Sequence, residues 1–336
     1  GKAMCTFHAK GAVGIILDVH SGELLSMVSL PDFDPNNPGK ASDDARFNRA
    51  TLGDYEMGST FKSFTMAMAM QYGTAKMHSS FDATEPLHVA SFVIHDDEPK
   101  HRWLTVPEIY AYSSNIGAAR MALAVGTKRQ KAFLEKLGMM QPVDIAFPAR
   151  STPLYPSDWK DINTVTSAYG HGISVNLVQL AHAYSIFATD GELAPITLLK
   201  SDGLAAGHPV IKPQTAAQVR HMLEMVTQPG GTAPRAQISG YRVAGKTGTA
   251  HKLENHVYTN KYVASFVGFA PVSNPRLIVA VMIDEPQSKS YYGGDVAAPV
   301  GSSVTGAALR MLGVPTDAPV DNVVLPADDA VVREET

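Results

Sequence analysis

Strand-like segments lie at both ends of the chain and enclose a long stretch of different character. Near the start, two runs at residues 11–18 and 23–29 are separated by a short turn, which predicts a β-hairpin. In the last third, residues 240–250, 262–269 and 276–284 have the composition of three further strands. One antiparallel sheet of five strands is the simplest structure that uses all of them, and it requires the two ends of the chain to meet.

The stretch between these strands has mostly helical spacing of apolar residues. Helices are predicted at residues 59–73, 105–125, 128–137, 175–188 and 214–226, with a closing helix at 300–312. Thr105 is a predicted N-cap with Glu108 as its capping-box partner. The polar residues 251–261 are expected to form a flexible hairpin loop. We therefore predict an α/β (α+β) fold, in which helices flank the five-stranded sheet and an all-helical lobe forms a cleft beside it.

Composition excludes several classes of protein. The 336 residues carry a formal charge of −4, without the basic excess typical of nucleic-acid binding. Cys5 is the single cysteine, so neither an internal disulfide nor a thiolate metal cluster is expected. No apolar run reaches 18 residues, so no transmembrane helix is expected. We predict one domain at residues 1–313, and a loosely ordered C-terminal tail at 314–336, which is rich in Pro, Asp and Val.

The segment Tyr55-Glu56-Met57-Gly58-Ser59-Thr60-Phe61-Lys62 places a serine at the predicted start of a helix. Ser59 and Lys62 are three residues apart, so they share one face of that helix. A serine hydroxyl becomes a nucleophile when a neighbouring base takes its proton, and a lysine kept neutral can be that base. The spacing fits acyl transfer, although Ser59 could also be only an N-cap before a core helix.

Two other short motifs follow in the chain. Ser113-Ser114-Asn115 lies inside the predicted helix 105–125, and Lys246-Thr247-Gly248-Thr249 lies on a predicted strand. Taken singly, the first motif could be a solvent-facing part of a helix and the second an ordinary strand end. Together with Ser59 and Lys62, they supply the groups that acyl transfer at a serine requires.

Each residue type has a chemical use in such a reaction. Ser113 can relay a proton to a leaving amine, and Asn115 can hold Lys62 and a substrate amide. Lys246 disfavours protonation of Lys62 and attracts an anionic substrate. The hydroxyls of Thr247 and Thr249 can bind a substrate carboxylate. A substrate can lie along the strand beside Gly248, which has no side chain. The backbone N–H groups of Ser59 and Thr249 would form an oxyanion hole.

This ordered set of motifs resembles the transpeptidase domain of class B penicillin-binding proteins, and within them the septal, division-specific type. The resemblance covers about residues 11–313. It extends to further pieces: Asn48-Arg49-Ala50, Leu154-Tyr155-Pro156 with Trp159, Tyr169-Gly170-His171-Gly172, Pro229-Gly230-Gly231-Thr232, Gly268-Phe269-Ala270-Pro271, Asp284-Glu285-Pro286 and Tyr291-Tyr292-Gly293-Gly294. The chain departs from the family at Met57, where proline is usual, at Tyr112, where lysine or a similar residue is usual, and at His171, which is often tyrosine.

The resemblance implies a serine-type D-Ala-D-Ala transpeptidase that cross-links stem peptides during septal cell-wall synthesis and is acylated by β-lactams. It implies no metal and no organic cofactor. Expected partners are the peptidoglycan stem peptide, β-lactams, and other division and cell-wall synthesis proteins. The full-length protein would lie on the periplasmic face of the bacterial inner membrane, held by an anchor absent from this soluble chain. The alternatives are a serine β-lactamase and a non-catalytic β-lactam sensor or division scaffold.

Overall fold

The computed structural model describes residues 1–201, 203, 206–254, 257–327 and 332–335. Its strands are β1 Gly11–Asp18, β2 Leu24–Leu30, β3 Ser80–Ala83, β4 Leu87–Val89, β5 Phe92–Ile94, β6 Arg102–Thr105, β7 Glu192–Leu193, β8 His208–Pro209, β9 Ala244–Glu254, β10 Val257–Ala270 and β11 Leu277–Asp284. The predicted five-stranded antiparallel sheet is confirmed, in the order β2-β1-β11-β10-β9. Because β9 is at the end of this order, one of its edges has no neighbouring strand among the described residues.

The helices are α1 Lys2–Phe7, α2 Asp43–Arg46, α3 Lys62–Gln71, α4 Val106–Ala111, α5 Asn115–Val125, α6 Thr127–Lys136, α7 Asp161–Ser167, α8 Leu177–Ala188, α9 Pro213–Val226, α10 Gly293–Val296 and α11 Ala298–Met311. Helix α8 links the two parts of the fold. Eleven of its twelve residues are buried, and it contacts β1, β10, β11 and α9. A helix that is apolar all round has to be enclosed in this way. It fixes the sheet relative to the lobe that carries α3 and α5.

The prediction of one helix over residues 105–125 is wrong. The capping box of Thr105 and Glu108 is present, but the helix is divided into α4 and α5. Ser113 lies between them with a left-handed φ of 55°, and Ser114 begins α5 as an N-cap that accepts a hydrogen bond from the backbone N–H of Gly117 at 2.9 Å. A left-handed residue cannot continue an α-helix, and serine is a favoured N-cap.

Two further expectations need correction. The lobe is not all-helical, because it contains the two-stranded pairs β3–β6 and β4–β5. Strands form here because residues 80–105 lack helical periodicity. The predicted loop at residues 251–261 is mostly part of the ladder of β9 and β10, with an irregularity between Tyr258 and Tyr262. Positions 255 and 256 of that prediction lie outside the described residues. Extended pairing is possible here because the hairpin continues two strands that are already paired.

Arg49 is buried. Its side chain is 2% exposed and pairs with Asp44 at 2.5 Å and with Asp284 of β11 at 3.5 Å. An arginine is buried when carboxylates compensate its charge, and these partners are distant in sequence. Arg49 thus ties the segment before the Ser59 loop to the sheet.

The chain after α11 returns to the body of the fold. Within the part of it that is described, the Asn322 side chain donates hydrogen bonds to the carbonyls of Ile238 and Tyr241, and the backbone N–H of Val324 donates to Gln237. Residues 328–331 and 336 of the predicted tail lie outside the described residues. Among the residues described, we find no helix with the length and apolarity needed to cross a membrane.

Candidate active site

Ser59 and Lys62 meet as their spacing predicted. Ser59 lies in the 3-10 turn Gly58–Phe61 that leads into α3, and Lys62 begins that helix. The Lys62 Nζ donates a hydrogen bond to the Ser59 Oγ at 2.7 Å. Both residues are fully buried. The backbone turn therefore holds a hydroxyl and an amine together, away from bulk water.

Ser113 completes a triangle with these two groups. Its hydroxyl donates to the Ser59 Oγ at 2.9 Å and accepts from the Lys62 Nζ at 2.9 Å. Its backbone carbonyl also accepts from Lys62, at 2.6 Å. The left-handed backbone at Ser113 makes both contacts possible. A mid-helix serine would have had its carbonyl directed along the helix axis, so the helix break is a requirement of the site.

Asp96 fixes the end of α5 that carries this triangle. One of its carboxylate oxygens accepts from the Ser114 hydroxyl at 2.7 Å, and the other accepts from the backbone N–H of Ile116 at 2.9 Å. A carboxylate at the N-terminus of a helix also interacts favourably with the helix dipole. Sequence reasoning missed Asp96, because nothing in its local spacing distinguishes it from the neighbouring acidic residues.

Asn115 does not make the contact with Lys62 that was expected of it. Its side-chain Nδ2 donates to the carbonyl of His95 at 3.1 Å. Its Oδ1 is buried and has no hydrogen-bond partner among the described residues. Lys62 is already hydrogen-bonded to Ser59 and Ser113, which leaves the Asn115 oxygen available to a ligand in the site. A buried acceptor of this kind is costly unless something binds to it.

The second wall of the site is the edge strand β9. Lys246, Thr247 and Thr249 lie on it and are fully buried. The Thr247 hydroxyl is 2.6 Å from that of Thr232, and the Thr249 hydroxyl accepts from the backbone N–H of Gly293 at 3.0 Å. The motif is thus built into a packed wall.

Gly248 is needed for a reason that the sequence did not supply. A Cβ at this position would lie 2.5 Å from the carbonyl oxygen of Met57 and 3.1 Å from a methyl carbon of Thr60. The strand therefore packs directly against the Ser59 loop. The absence of a side chain permits this close approach, independently of any substrate.

The electrostatics favour a neutral amine beside the Ser59 hydroxyl. Burial lowers the pKa of Lys62 from 10.5 to about 7. The positive charge of Lys246 adds to this lowering, as the sequence predicted, while the negative charge of Glu334 opposes it. An amine with this pKa is substantially unprotonated at neutral pH and can accept a proton from Ser59.

Known proteins are similar to this chain over most of its length. The family model for the penicillin binding protein transpeptidase domain matches residues 12–306. The chain belongs to this family. The probable peptidoglycan D,D-transpeptidase PenA of Neisseria flavescens is 38% identical over 324 residues, which are 96% of this chain and 80% of that protein. The peptidoglycan D,D-transpeptidase FtsI of Escherichia coli K12 is 34% identical over 313 residues, or 92% of this chain.

The chain spans 53% of the Escherichia coli protein and 55% of PenA from Neisseria gonorrhoeae, about half the length of these relatives. Two solved structures have the same fold. The transpeptidase domain of penicillin-binding protein 3 from Burkholderia pseudomallei has a TM-score of 0.86 and 37% identity, covering 95% of this chain and 93% of that one. A Burkholderia ambifaria protein named as a peptidoglycan glycosyltransferase has a TM-score of 0.83 and 36% identity, covering 95% of each chain.

Glu56 holds the Ser59 loop in place, and sequence reasoning missed it. Its carboxylate accepts hydrogen bonds from the backbone N–H of Gly172 at 2.8 Å and from the Tyr258 hydroxyl at 3.0 Å. Tyr258 also stacks on His171, with ring centroids 5.5 Å apart. The bend at residues 169–172 packs so closely against this loop that a Cβ on Gly170 would lie 2.2 Å from the Gly58 carbonyl oxygen.

A third missed residue is Glu334, from the predicted tail. Its carboxylate accepts two hydrogen bonds from the Lys246 Nζ, at 2.7 and 2.6 Å, and one from the Thr247 hydroxyl. Glu334 is only 4% exposed. Burial alone would raise its pKa, but the positive charges of Lys246 and Lys62 hold the pKa below its ordinary value. A carboxylate anion therefore occupies the Lys246 end of the site.

Proposed function

We propose that this domain is a peptidoglycan D,D-transpeptidase that acts through a serine acyl-enzyme in septal cell-wall synthesis. The observation that carries the proposal is the triangle of Ser59, Lys62 and Ser113, with contacts of 2.7, 2.9 and 2.9 Å. The PenA and FtsI names of the relatives support the substrate class and the division role. The substrate would be the D-Ala-D-Ala end of a stem peptide.

In the first half-reaction, the Ser59 Oγ attacks the carbonyl carbon of the penultimate D-Ala, and its proton passes to neutral Lys62. The negative charge that develops on the carbonyl oxygen is stabilised by the backbone N–H groups of Ser59 and Thr249. Ser113 then relays a proton to the amine of the terminal D-Ala. The peptide bond breaks, D-Ala leaves, and the acyl-enzyme on Ser59 remains.

In the second half-reaction, an amine of a neighbouring stem peptide attacks the ester carbonyl of the acyl-enzyme. The attacking amine gives a proton to Lys62 as the new amide forms. Lys62 then returns a proton to the Ser59 oxygen as the ester bond breaks. The Asn115 oxygen is suited to hold an amide N–H of the substrate, because it is a buried acceptor. Lys246, Thr247 and Thr249 would bind the substrate carboxylate, and a peptide would extend along the edge strand β9 beside Gly248.

The proposal also covers partners and location. A septal transpeptidase would work on the periplasmic face of the inner membrane, with other division and cell-wall synthesis proteins as partners. β-Lactams would acylate Ser59 by the same route, because their strained amide presents the same type of carbonyl to the nucleophile.

Intact mass measured over hours after addition of benzylpenicillin tests the proposal. We expect one stable adduct on the wild-type chain, and none on Ser59→Ala with an unchanged circular dichroism spectrum. A short-lived adduct with consumption of the drug would identify a β-lactamase instead. Release of D-Ala from a synthetic stem pentapeptide separates the enzyme from a sensor, which would be acylated without peptide chemistry. Labelling that persists in Ser59→Ala would refute the assignment.

A further inference from the structure

A short acidic segment of the chain lies inside the candidate active site. We refer to residues 332–335 as the tail segment; it contains Arg333, Glu334 and Glu335. The Glu334 carboxylate is bound by Lys246 and Thr247. These are the groups expected to bind the carboxylate of an anionic substrate. The tail segment thus places a carboxylate of the chain itself where the carboxylate of a ligand is expected.

The neighbours of Glu334 are held on the same side of the site. Glu335 is 2.6 Å from the Nε2 of His251 on β9, and it accepts a hydrogen bond from the Tyr291 hydroxyl at 3.0 Å. Arg333 donates from its Nε to Asp295 of α10 at 2.9 Å, and its guanidinium lies 5.9 Å from the centre of the Tyr292 ring. On β9, Lys246 faces Glu334 and His251 faces Glu335. On α10, Asp295 faces Arg333. This charge complementarity supports a specific docked arrangement.

The docked segment opposes catalysis in two ways. It occupies the hydrogen-bonding groups of Lys246 and Thr247, so a substrate carboxylate cannot bind to them at the same time. Its charge also raises the pKa of Lys62, which increases the protonated fraction of the base that has to receive the Ser59 proton. Neither effect requires a change of fold; both end when the segment leaves.

We propose that the tail segment is an intramolecular competitive ligand, in which Glu334 takes the place of the substrate carboxylate, and that it has to leave before Ser59 can be acylated. The identity of the displaced substrate rests on the proposed function. The chemical class of the ligand does not depend on that function, because the ligand is a peptide carboxylate bound by Lys246 and Thr247. Any factor that binds or removes the tail segment would then regulate the acylation of Ser59.

The test is the second-order rate constant of acylation by benzylpenicillin, measured on the whole chain. We expect Glu334→Gln, and separately deletion of residues 328–336, to raise it about tenfold, the lower end of what charge-assisted hydrogen bonds contribute to an equilibrium. Asp321→Asn is the matched control, because it removes one exposed carboxylate from the same part of the chain, outside the site. Its rate constant should equal that of the wild type.

A binding measurement makes the test independent of chemistry. A fluorescent peptide with the sequence of residues 328–336 is titrated into the deletion variant. A tethered ligand has an effective concentration on the order of 1 mM, so a tenfold effect in the intact chain corresponds to a Kd of about 0.1 mM for the free peptide. The same peptide with glutamine at the position of Glu334 should bind at least about tenfold more weakly.

The outcomes are distinct. Unchanged acylation in both variants, or a loss of acylation in Glu334→Gln, overturns the inference; a loss would make Glu334 part of the catalytic machinery. Absence of acylation in every form, with peptide binding intact, refutes the proposed function but supports the intramolecular ligand. If the deletion variant does not fold, the peptide is titrated into Glu334→Gln, and failure of binding there overturns the inference.

Discussion

The pH dependence of acylation tests whether Lys62 is the base. Burial brings the pKa of Lys62 down from 10.5 to about 7, and only the neutral amine can accept the proton of Ser59. We therefore expect the acylation rate constant for benzylpenicillin to rise with pH and to level off above about pH 8. The sign follows from the charge of the group: a lysine whose pKa is lowered gains reactivity as the pH rises through the new value.

The magnitude is large enough to measure. With a pKa of about 7, roughly half of the Lys62 side chains are neutral at pH 7, compared with about three in ten thousand for an ordinary lysine. The rate constant should fall about fivefold from pH 7 to pH 6 and about tenfold more from pH 6 to pH 5. The shift corresponds to about 5 kcal/mol between the two protonation states, provided by the fold.

Single-turnover acylation followed by intact mass between pH 5 and 10 gives the midpoint, with hydrolysis of the drug in buffer subtracted. Two variants should move the midpoint in opposite directions. Glu334→Gln removes a negative charge and should lower the midpoint, whereas Lys246→Gln removes a positive charge and should raise it, whatever either does to the plateau rate. A midpoint above pH 9, or shifts of both variants in the same direction, would refute the role of Lys62.

Two further predictions concern the framework of the site. Gly248→Ala should reduce the acylation rate constant at least about tenfold, because the added Cβ would lie 2.5 Å from the Met57 carbonyl oxygen and displace the Ser59 loop. Gly14→Ala is the control, because a Cβ at that position meets open space. Equal rate constants in the two variants would contradict the packing argument. Arg49→Met should lower the free energy of unfolding in urea by about 3 kcal/mol, because it leaves the buried carboxylate of Asp284 without its guanidinium partner. The loss is limited because Lys252 also lies 2.8 Å from Asp284. An unchanged unfolding midpoint would show that the pair of Arg49 and Asp284 contributes nothing to stability.

The parts of the site that could be predicted from sequence are those with local spacing. Ser59 and Lys62 are one helical turn apart, so their contact follows from the geometry of a helix start. The apolar surroundings of Lys246, Thr247 and Thr249 predict a strand, and β9 carries them. The order of the motifs along the chain is enough to indicate the family. The functional roles assigned to these residues stay predictions, which the acylation and binding experiments address.

Other parts of the site depend on contacts between residues far apart in the chain. The helix break at Ser113 could not be predicted, because residues 105–125 have uninterrupted helical spacing. The break is held by contacts of Ser113 with Lys62 and of Ser114 with Asp96. Glu56 and Tyr258 are 202 positions apart and share a hydrogen bond. No local pattern indicates such a pair.

By itself, the sequence determined the five-stranded sheet, most of the helices and the identity of the chemical groups, because alternation, helical spacing and short motifs are properties of neighbouring residues. Only the tertiary structure decided how those groups act on one another. It placed Lys62 away from water and near Lys246, which lowers the pKa of the Lys62 amine. It also brought Glu334 onto Lys246, 88 positions away in the chain. Burial and long-range charge pairing arise when the chain is packed, and that packing places the amine of Lys62 and the carboxylate of Glu334 in the site of Ser59.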